Sequence, residues 1–442
     1  MPPRPLVILH GWSDNSESFK PLAQRLKDRL GTDAVVISLA DYESMDDQVT
    51  FGDLVRAMAR AWKREGLPTK KGSVDVVVHS TGGLVIRDWL ERNYTPATAP
   101  VKHLVMLAPA NFGSPIAHKG YSFIGRIVKG WDSDKMFQTG EKLLKGLELA
   151  SPYAWDLALR DRFGEKDFYR KGRILCSVLV GNTGYSGIAA AANEEGSDGT
   201  VRASSANLNT ALLDADFATD PLNPTFTMRP SAGRTAFAVM EGENHSTIAA
   251  KDDGYQNDAT FDLTAGALTV TDAGFEAWCR RLDQVTAGTM HAGRKDSYTH
   301  GFQNTVCVVR DDAGESVRDY FLEFYIDDDD SGWFSEMFHR DAIRTVHAHK
   351  DNASYRSVLV DCTVLHKQVD KEKDVMKVSL TAVPEFRKNG KVGYRTFTDN
   401  DIGGIRIPLP RIREFFQENR TLMVRFTLHR EQADSLFRLT QA

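Results

Sequence analysis

In the stretch VDVVVHSTGGLVIRDWL, which begins at Val74, a serine stands where an all-apolar run breaks: His79-Ser80-Thr81-Gly82-Gly83. A serine hydroxyl becomes a nucleophile when a base takes its proton and a third group orients that base. Two later polar turns carry the matching residue types, Asp198 in EGSDGTVR and His245 in MEGENHSTI. A fourth segment, His10-Gly11-Trp12, closes an early apolar run. Its Trp12 backbone N–H, facing that of Thr81, would form a pocket for the negative charge of a tetrahedral intermediate. Together these residues suit acyl transfer through Ser80, with His245 as base and Asp198 as its orienting acid. Plainer roles exist for each: a serine caps helices, a loop histidine is often solvated, and Glu194, Glu195, Asp220 and Glu243 compete with Asp198. His79 precedes the nucleophile on the strand side, pointing away from it, and is expected to pack or hydrogen-bond beneath the site. His10 is expected to tie down the oxyanion turn.

Elements with the right geometry surround these residues. A buried apolar run, a glycine pair and then Leu84, Ile86 and Leu90 at helical spacing, with Arg87, Asp88 and Arg92 between them, predict strand, sharp turn and helix. Such a turn is the nucleophile elbow, which lifts a serine out of a sheet. PLVILH, AVVISL, VDVVVH, VKHLVMLAP, RILCSVLVGN and RTAFAVMEG read as strands. SESFKPLAQRLKDRL, TFGDLVRAMARAWKREG and TDAGFEAWCRRLDQV read as helices, so residues 1–288 are expected to form an α/β domain with a mostly parallel sheet. Residues 111–173 interrupt the alternation with an aromatic insertion carrying Tyr121, Phe123, Trp131, Phe137, Tyr153 and Trp155, for which an active-site lid is one candidate role and a helical excursion covering a sheet edge the other. Within it, Ser151 and Pro152 mark a helix start.

After Gly288 the pattern turns to period two, as in TLMVRFTLHR and DVMKVSLTAV. With NTVCVV, YFLEFYI, YRSVLVDCTVL and IRIPLP, about six strands predict a smaller all-β, sandwich-like domain over residues 289–442. The acidic run Asp327 to Asp330 reads as a solvated hairpin tip in preference to a calcium loop, for want of spaced ligands. His347 and His349 share a strand face without a third ligand nearby, so no metal site is assigned.

Composition excludes several classes. At 442 residues with 41% hydrophobic content, the chain can build more than one core. A net charge of -5 gives no basic surface for nucleic acid. MPPRPLVILHGW lacks a cleavage site and reads as a first strand, and no run reaches membrane-spanning length. Peripheral contact is the membrane option left, and the cytoplasm is the default location, with signal-independent export the alternative. Cys176, Cys279, Cys307 and Cys362 are far apart in apolar contexts and read as buried thiols.

On HGW, VHSTGGLV, LAPANFGSP, SDGTV and ENHSTI, spread in order over roughly the first two-thirds of the chain, the sequence resembles the α/β-hydrolase superfamily, lipase-like branch: bacterial lipases, lecithin–cholesterol acyltransferase and GPI inositol-deacylase-like enzymes. The resemblance implies that Ser80 attacks an ester carbonyl, His245 takes its proton, Asp198 orients His245, and Trp12 and Thr81 donate backbone N–H groups. It implies a cofactor-independent lipase or phospholipase acting on lipid or another acyl ester, whose acyl-enzyme is released by water. An acyltransferase would use the same triad, and a binding protein could retain the scaffold. One position departs from the family's G-x-S-x-G pattern: Val78 stands where a small residue is usual, and Gly82 and Gly83 are expected to accommodate it.

Overall fold

The computed structural model describes residues 4–10, 16–38, 47–118, 140–220, 222–251, 254–290, 300–326, 332–369, 375–383, 392–394 and 405–432. Two units are distinguished, Met1–Asn209 with Ser231–His300, and Thr210–Pro230 with Gly301–Ala442.

In the first unit the apolar runs form β1 (Leu6–His10), β2 (Ala34–Ser38), β3 (Val74–His79), β4 (Val101–Leu107) and β5 (Leu175–Gly181). After β6 (Ala211–Asp216) and β7 (Thr225–Pro230), which belong to the second unit, β8 (Ala236–Met240) completes the sheet. Its order is β2-β1-β3-β4-β5-β8, with every pairing parallel. Strands buried on both faces require continuous apolar sequence, and Val76, Val77 and Val78 are fully buried. The chain moves from β1 out to β2 and returns on the other side of β1 as β3, so the strand order reverses there. The carboxyl ends of β1 and β3 therefore flank the crevice where open α/β sheets bind ligands.

The helices are α1 (Lys20–Leu30), α2 (Phe51–Arg64), α3 (Gly82–Asn93), α4 (Glu141–Leu147), α5 (Pro152–Asp161), α6 (Asp258–Ala267) and α7 (Phe275–Met290). Ser151 caps α5 by accepting from the Ala154 N–H at 3.2 Å, with Pro152 in the first turn, as its sequence predicts. Arg87 and Asp88, the charged residues between the apolar positions of α3, are both fully buried. The described part of the insertion covers them and supplies their partners. Arg87 Nε and Nη2 donate to the two oxygens of Asp161 at 2.8 Å each, and Nη1 donates to the Asn111 carbonyl at 3.0 Å. Asp88 accepts from Tyr153 Oη at 2.9 Å, Arg92 Nε at 2.8 Å and Arg160 Nη2 at 3.2 Å. Burial works against the Arg87 charge, yet Asp161 more than offsets it and holds the guanidinium above its ordinary range. Arg162, equally buried, donates from its guanidinium to the Leu208 carbonyl and Ser231 Oγ, and burial lowers its pKa.

Of the aromatics expected in a lid, Tyr153 and Trp155 are thus fixed on a helix whose end is ion-paired to α3, and Trp155 is buried. Tyr121, Phe123, Trp131 and Phe137 lie outside the described residues, as does the run Asp327 to Asp330.

In the second unit β6 and β7 form an antiparallel hairpin at one side of a mixed sheet ordered β11-β12-β9-β16-β6-β7. Its further members are β9 (Phe302–Asp311), β11 (Ile343–Ala348), β12 (Tyr355–Asp361) and β16 (Arg420–Leu428); β10 (Asp319–Ile326), β13 (Val375–Val383) and β15 (Ile405–Pro408) make an antiparallel sheet, and β14 (Val392–Tyr394) pairs with β17 (Arg430–Gln432). Residues of the two larger sheets, including Cys307, Val309, Tyr320, Met376, Val424 and Phe426, share one apolar core, so the smaller domain is β-rich as expected. Three details differ from the sequence reading. Thr210–Pro230 joins this unit because β6 runs parallel to β16 in continuous register from Ala211 opposite Leu422 to Asp216 opposite Thr427. The YRSVLVDCTVL segment leaves the sheet at Asp361, whose Oδ1 accepts from the Val364 N–H at 3.0 Å and starts helix α8 (Cys362–Val369). The boundary also falls at His300, later than residue 288, because α7 continues to Met290.

All four cysteines are free and buried, and burial pushes Cys176 and Cys307 up to about 12. Among the described residues no helix is long and apolar enough to cross a membrane, and no group of three or more His, Cys, Asp or Glu is arranged to hold a metal ion.

The Arg87–Asp161 pair yields a stability prediction. Asp161→Ala leaves a guanidinium buried without its counter-charge and should lower the free energy of unfolding by about 3–5 kcal/mol. The double replacement Arg87→Met with Asp161→Leu should recover much of that loss in urea melts. An Asp161→Ala protein as stable as the parent would mean that the pair does not hold the insertion to α3.

Candidate active site

The elbow at Ser80 is built by close backbone approach. Ser80 has φ of 53°, in the left-handed region that L-residues occupy only when their surroundings enforce it. Its N–H donates to the Leu107 carbonyl of β4 at 3.1 Å, and its carbonyl accepts from Gly83 at 3.1 Å and Ala110 at 3.3 Å. Gly82 and Gly83 are needed for space. A Cβ on Gly82 would lie 3.1 Å from the Leu9 carbonyl and 3.4 Å from the Val78 Cβ, and one on Gly83 would lie 2.7 Å from the Pro109 Cβ. The bulk of Val78 is thus met by a missing methyl on Gly82, and the left-handed turn at Ser80 is kept.

Ser80, Asp198 and His245 come together from three separate loops. Ser80 Oγ is 3.1 Å from His245 Nε2, and His245 Nδ1 is 3.0 Å from Asp198 Oδ2. An ionised carboxylate only accepts, so Nδ1 carries the proton and the Nε2 lone pair faces the serine hydroxyl. Asp198 is fully buried; its other oxygen accepts from the Thr200 N–H at 2.9 Å and the Val201 N–H at 2.7 Å. The two loops also bond through backbone, from the His245 N–H to the Asp198 carbonyl at 3.0 Å. Thr81 directly precedes α3 and is buried, and its N–H belongs to the helix start, where donors lack intrahelical acceptors and the helix dipole favours negative charge. Trp12 lies outside the described residues.

Three of the competing carboxylates have other tasks. Glu194 is engaged by Arg202 Nε and Nη2 at 2.7 and 3.0 Å. Glu243 is buried and accepts from the Gln256 and Asn257 N–H groups and from Thr260 Oγ1, anchoring the start of α6 behind the histidine loop. Asp220 sits in an exposed turn of the second unit, accepting from Leu222 and Asn223. His79, as expected for the strand side, is turned from Ser80 and lies under the histidine loop: its Nε2–H donates to the His245 carbonyl at 2.9 Å. Sequence reasoning did not single out Lys251, whose Nζ lies 3.5 Å from His79 Nδ1. A lone lysine after a loop carries no pattern that would have marked it. Chemically, a serine hydroxyl with an imidazole acceptor and a carboxylate behind it is suited to nucleophilic attack and proton shuttling.

The sequence matches the family model described as the alpha/beta hydrolase family over residues 6–347. No curated protein matches it. Among solved structures, phospholipase PlaB from Legionella pneumophila aligns with a TM-score of 0.80 at 23% identity, covering 99% of this chain and 96% of that one. PlaB in complex with thio-NAD aligns with a TM-score of 0.79 at 22% identity and the same coverage, 99% and 96%. The mature lipase BlEst2 from Bacillus licheniformis aligns with a TM-score of only 0.39 at 18% identity, over 61% of this chain and 94% of that one. The likeness to PlaB is one of fold.

The glycine contacts yield a second prediction. Gly83→Ala should destabilise the protein by about 1–3 kcal/mol, because its methyl must displace Pro109 in a packed turn. Gly82→Ala, with looser contacts, should cost less. Thermal melts showing the reverse order would place the tight crossing elsewhere.

Proposed function

Because the chain belongs to the alpha/beta hydrolase family, we propose that it is a serine-dependent carboxylic ester hydrolase of the lipase or phospholipase type, working through an acyl-enzyme on Ser80. The observation that carries this reading is the continuous hydrogen-bonded line from Ser80 Oγ through His245 to buried Asp198. In the proposed reaction Ser80 Oγ attacks the ester carbonyl carbon as His245 Nε2 takes its proton. The resulting imidazolium is stabilised by Asp198, and the alkoxide that forms on the former carbonyl oxygen is held by the N–H groups of Thr81 and Trp12. Collapse breaks the ester C–O bond, and His245 returns the proton to the leaving alcohol. Water then attacks the acyl-enzyme with His245 again as base, releasing the acid and free Ser80.

A lipid or other acyl ester as substrate, met at a peripheral membrane surface, is favoured by the resemblance of the site motifs to lipases. The structurally similar PlaB is a phospholipase, which points the same way. Hydrolysis by this triad requires no cofactor.

A fluorophosphonate probe should label the wild-type protein at Ser80 and leave Ser80→Ala unlabelled. Ser80→Ala should lower ester turnover by about 10^4-fold or more without loss of folding. Asp198→Asn should reduce turnover by up to about 10^4-fold through the wrong histidine tautomer, and Glu194→Gln should have little effect on a short ester. Near-normal turnover in Ser80→Ala would end the hydrolase assignment; a large loss confined to Glu194→Gln would move the acid. Profiling p-nitrophenyl esters of rising chain length, then phospholipids and triglycerides, tests the lipid preference.

A further inference from the structure

The mixed sheet of the second unit ends differently at its two edges. At one edge is β11, whose register against β12 slips between Ile343 and Thr345 and which carries Arg344 and His347. A slipped register and charged side chains keep an edge strand from pairing with another chain. At the other edge is β7. Its register against β6 runs unbroken from Thr225 opposite Asp216 to Pro230 opposite Ala211, and all six of its residues are exposed. Its charge is confined to Arg229 and its proline to the last position, so Thr225 to Met228 form an uncharged run that can pair again.

This strand also carries the apolar face of the sheet out beyond its core. Residues directly opposite in an antiparallel pair lie on one face, so Phe226 and Met228 share the face of Ala215 and Leu213, which belong to the core. Phe226 meets the partly buried Phe217 edge-on at 5.7 Å between ring centroids, yet it remains 39% exposed and Met228 37%. Two properties then select the occupant. An edge strand presents backbone N–H and C=O groups that another strand satisfies and lipid hydrocarbon does not, and Asp216 and Asp220 add charge at the hairpin turn. In addition, Thr225-Phe226-Thr227-Met228 with Arg229 is close to symmetric in character about Thr227. An antiparallel copy centred there sets Thr227 opposite Thr227 and, twice over, Phe226 opposite Met228, pairs joined by threonine hydrogen bonding and sulfur–aromatic contact. Arg229 of the second copy comes opposite Thr225, one strand away from Asp216, so charges of opposite sign meet on the other face.

We propose that β7 is a docking edge for a second copy of this chain, paired antiparallel about Thr227 so that the two six-stranded sheets join across a twofold axis. Such a contact uses the same patch on both copies and closes on itself, which removes the edge without opening a path to filaments. A single strand pair with four apolar side chains covers less than the about 800 Å² per partner of a standard interface, so the association belongs in the micromolar range.

The test is sedimentation equilibrium of the full-length protein up to about 100 μM, well above a micromolar Kd. Wild type should self-associate. Phe226→Lys combined with Met228→Lys sets like charges opposite one another and should weaken the association at least about 100-fold, as should Phe226→Glu combined with Met228→Glu. Mixing the two double variants should restore a dimer, a result that misfolded protein would not give. Because all four native cysteines are buried, an introduced cysteine reports the register. Thr227→Cys should cross-link into a covalent dimer under mild oxidation, since directly opposite Cα atoms lie about 4.5–5.5 Å apart. Thr225→Cys, set opposite Arg229, should not. A wild type that stays monomeric overturns the proposal, whether another segment of this chain covers β7 or a lipid surface does; flotation with phosphatidylcholine vesicles that the lysine variant loses would assign the strand to the lipid. Self-association undiminished in both charge variants, a mixture that stays monomeric, or Thr225→Cys cross-linking as readily as Thr227→Cys would overturn it as well.

Discussion

The left-handed turn at Ser80 is the constraint on which the rest of the site depends. A non-glycine residue at φ 53° holds that conformation because β4, the Pro109 turn and the start of α3 all close upon it. The strain is local, and its compensation comes from several elements. Leu107 accepts the Ser80 N–H, Ala110 and Gly83 donate to its carbonyl, and two glycines remove the methyl groups that would collide. The hydroxyl consequently leaves the sheet at the carboxyl end of β3, beside the reversal of strand order where an open parallel sheet has its natural crevice.

Buried charge explains why the insertion is part of this framework. The helix that follows Ser80 is buried from Gly82 to Leu90, and α3 accordingly carries two fully buried charged residues. Removing one member of such a buried pair is strongly destabilising, so each charge here is matched. Asp161 answers Arg87 with a bidentate pair, and Tyr153, Arg92 and Arg160 answer Asp88. The helix that follows Ser80 is thereby locked to a segment some seventy residues later in the chain. His245 is secured in another way: Asp198 holds its ring and its N–H, and His79 holds its carbonyl.

Much of this was legible in the sequence because the relevant signals are local. Continuous apolar runs marked the strands of the parallel sheet, since strands covered on both faces admit few polar residues. Glycine pairs and polar turns at strand ends marked Ser80, Asp198 and His245 as candidates, because each needs a sharp loop beyond a buried strand. Ser151 and Pro152 marked a helix start through capping chemistry that involves only neighbouring residues. The elbow was recognisable despite Val78, since the compensating glycine lies four residues away on the same segment.

Tertiary structure decided what depends on partners distant in the chain. Periodicity placed Arg87 and Asp88 between the apolar positions of a helix, whereas their burial depends on Asp161, Tyr153 and Arg160, which no local pattern connects to them. The strand Ala211–Asp216 reads the same whichever sheet it joins, and only its register with β16 assigns it to the second unit. Asp198 was one of several nearby carboxylates until the fold paired Glu194 with Arg202 and set Glu243 against the start of α6. Sequence by itself determined which residues could do chemistry and which segments could carry them. The fold selected among those residues, because hydrogen bonds and ion pairs are made between atoms a few ångströms apart, however far apart they lie along the chain.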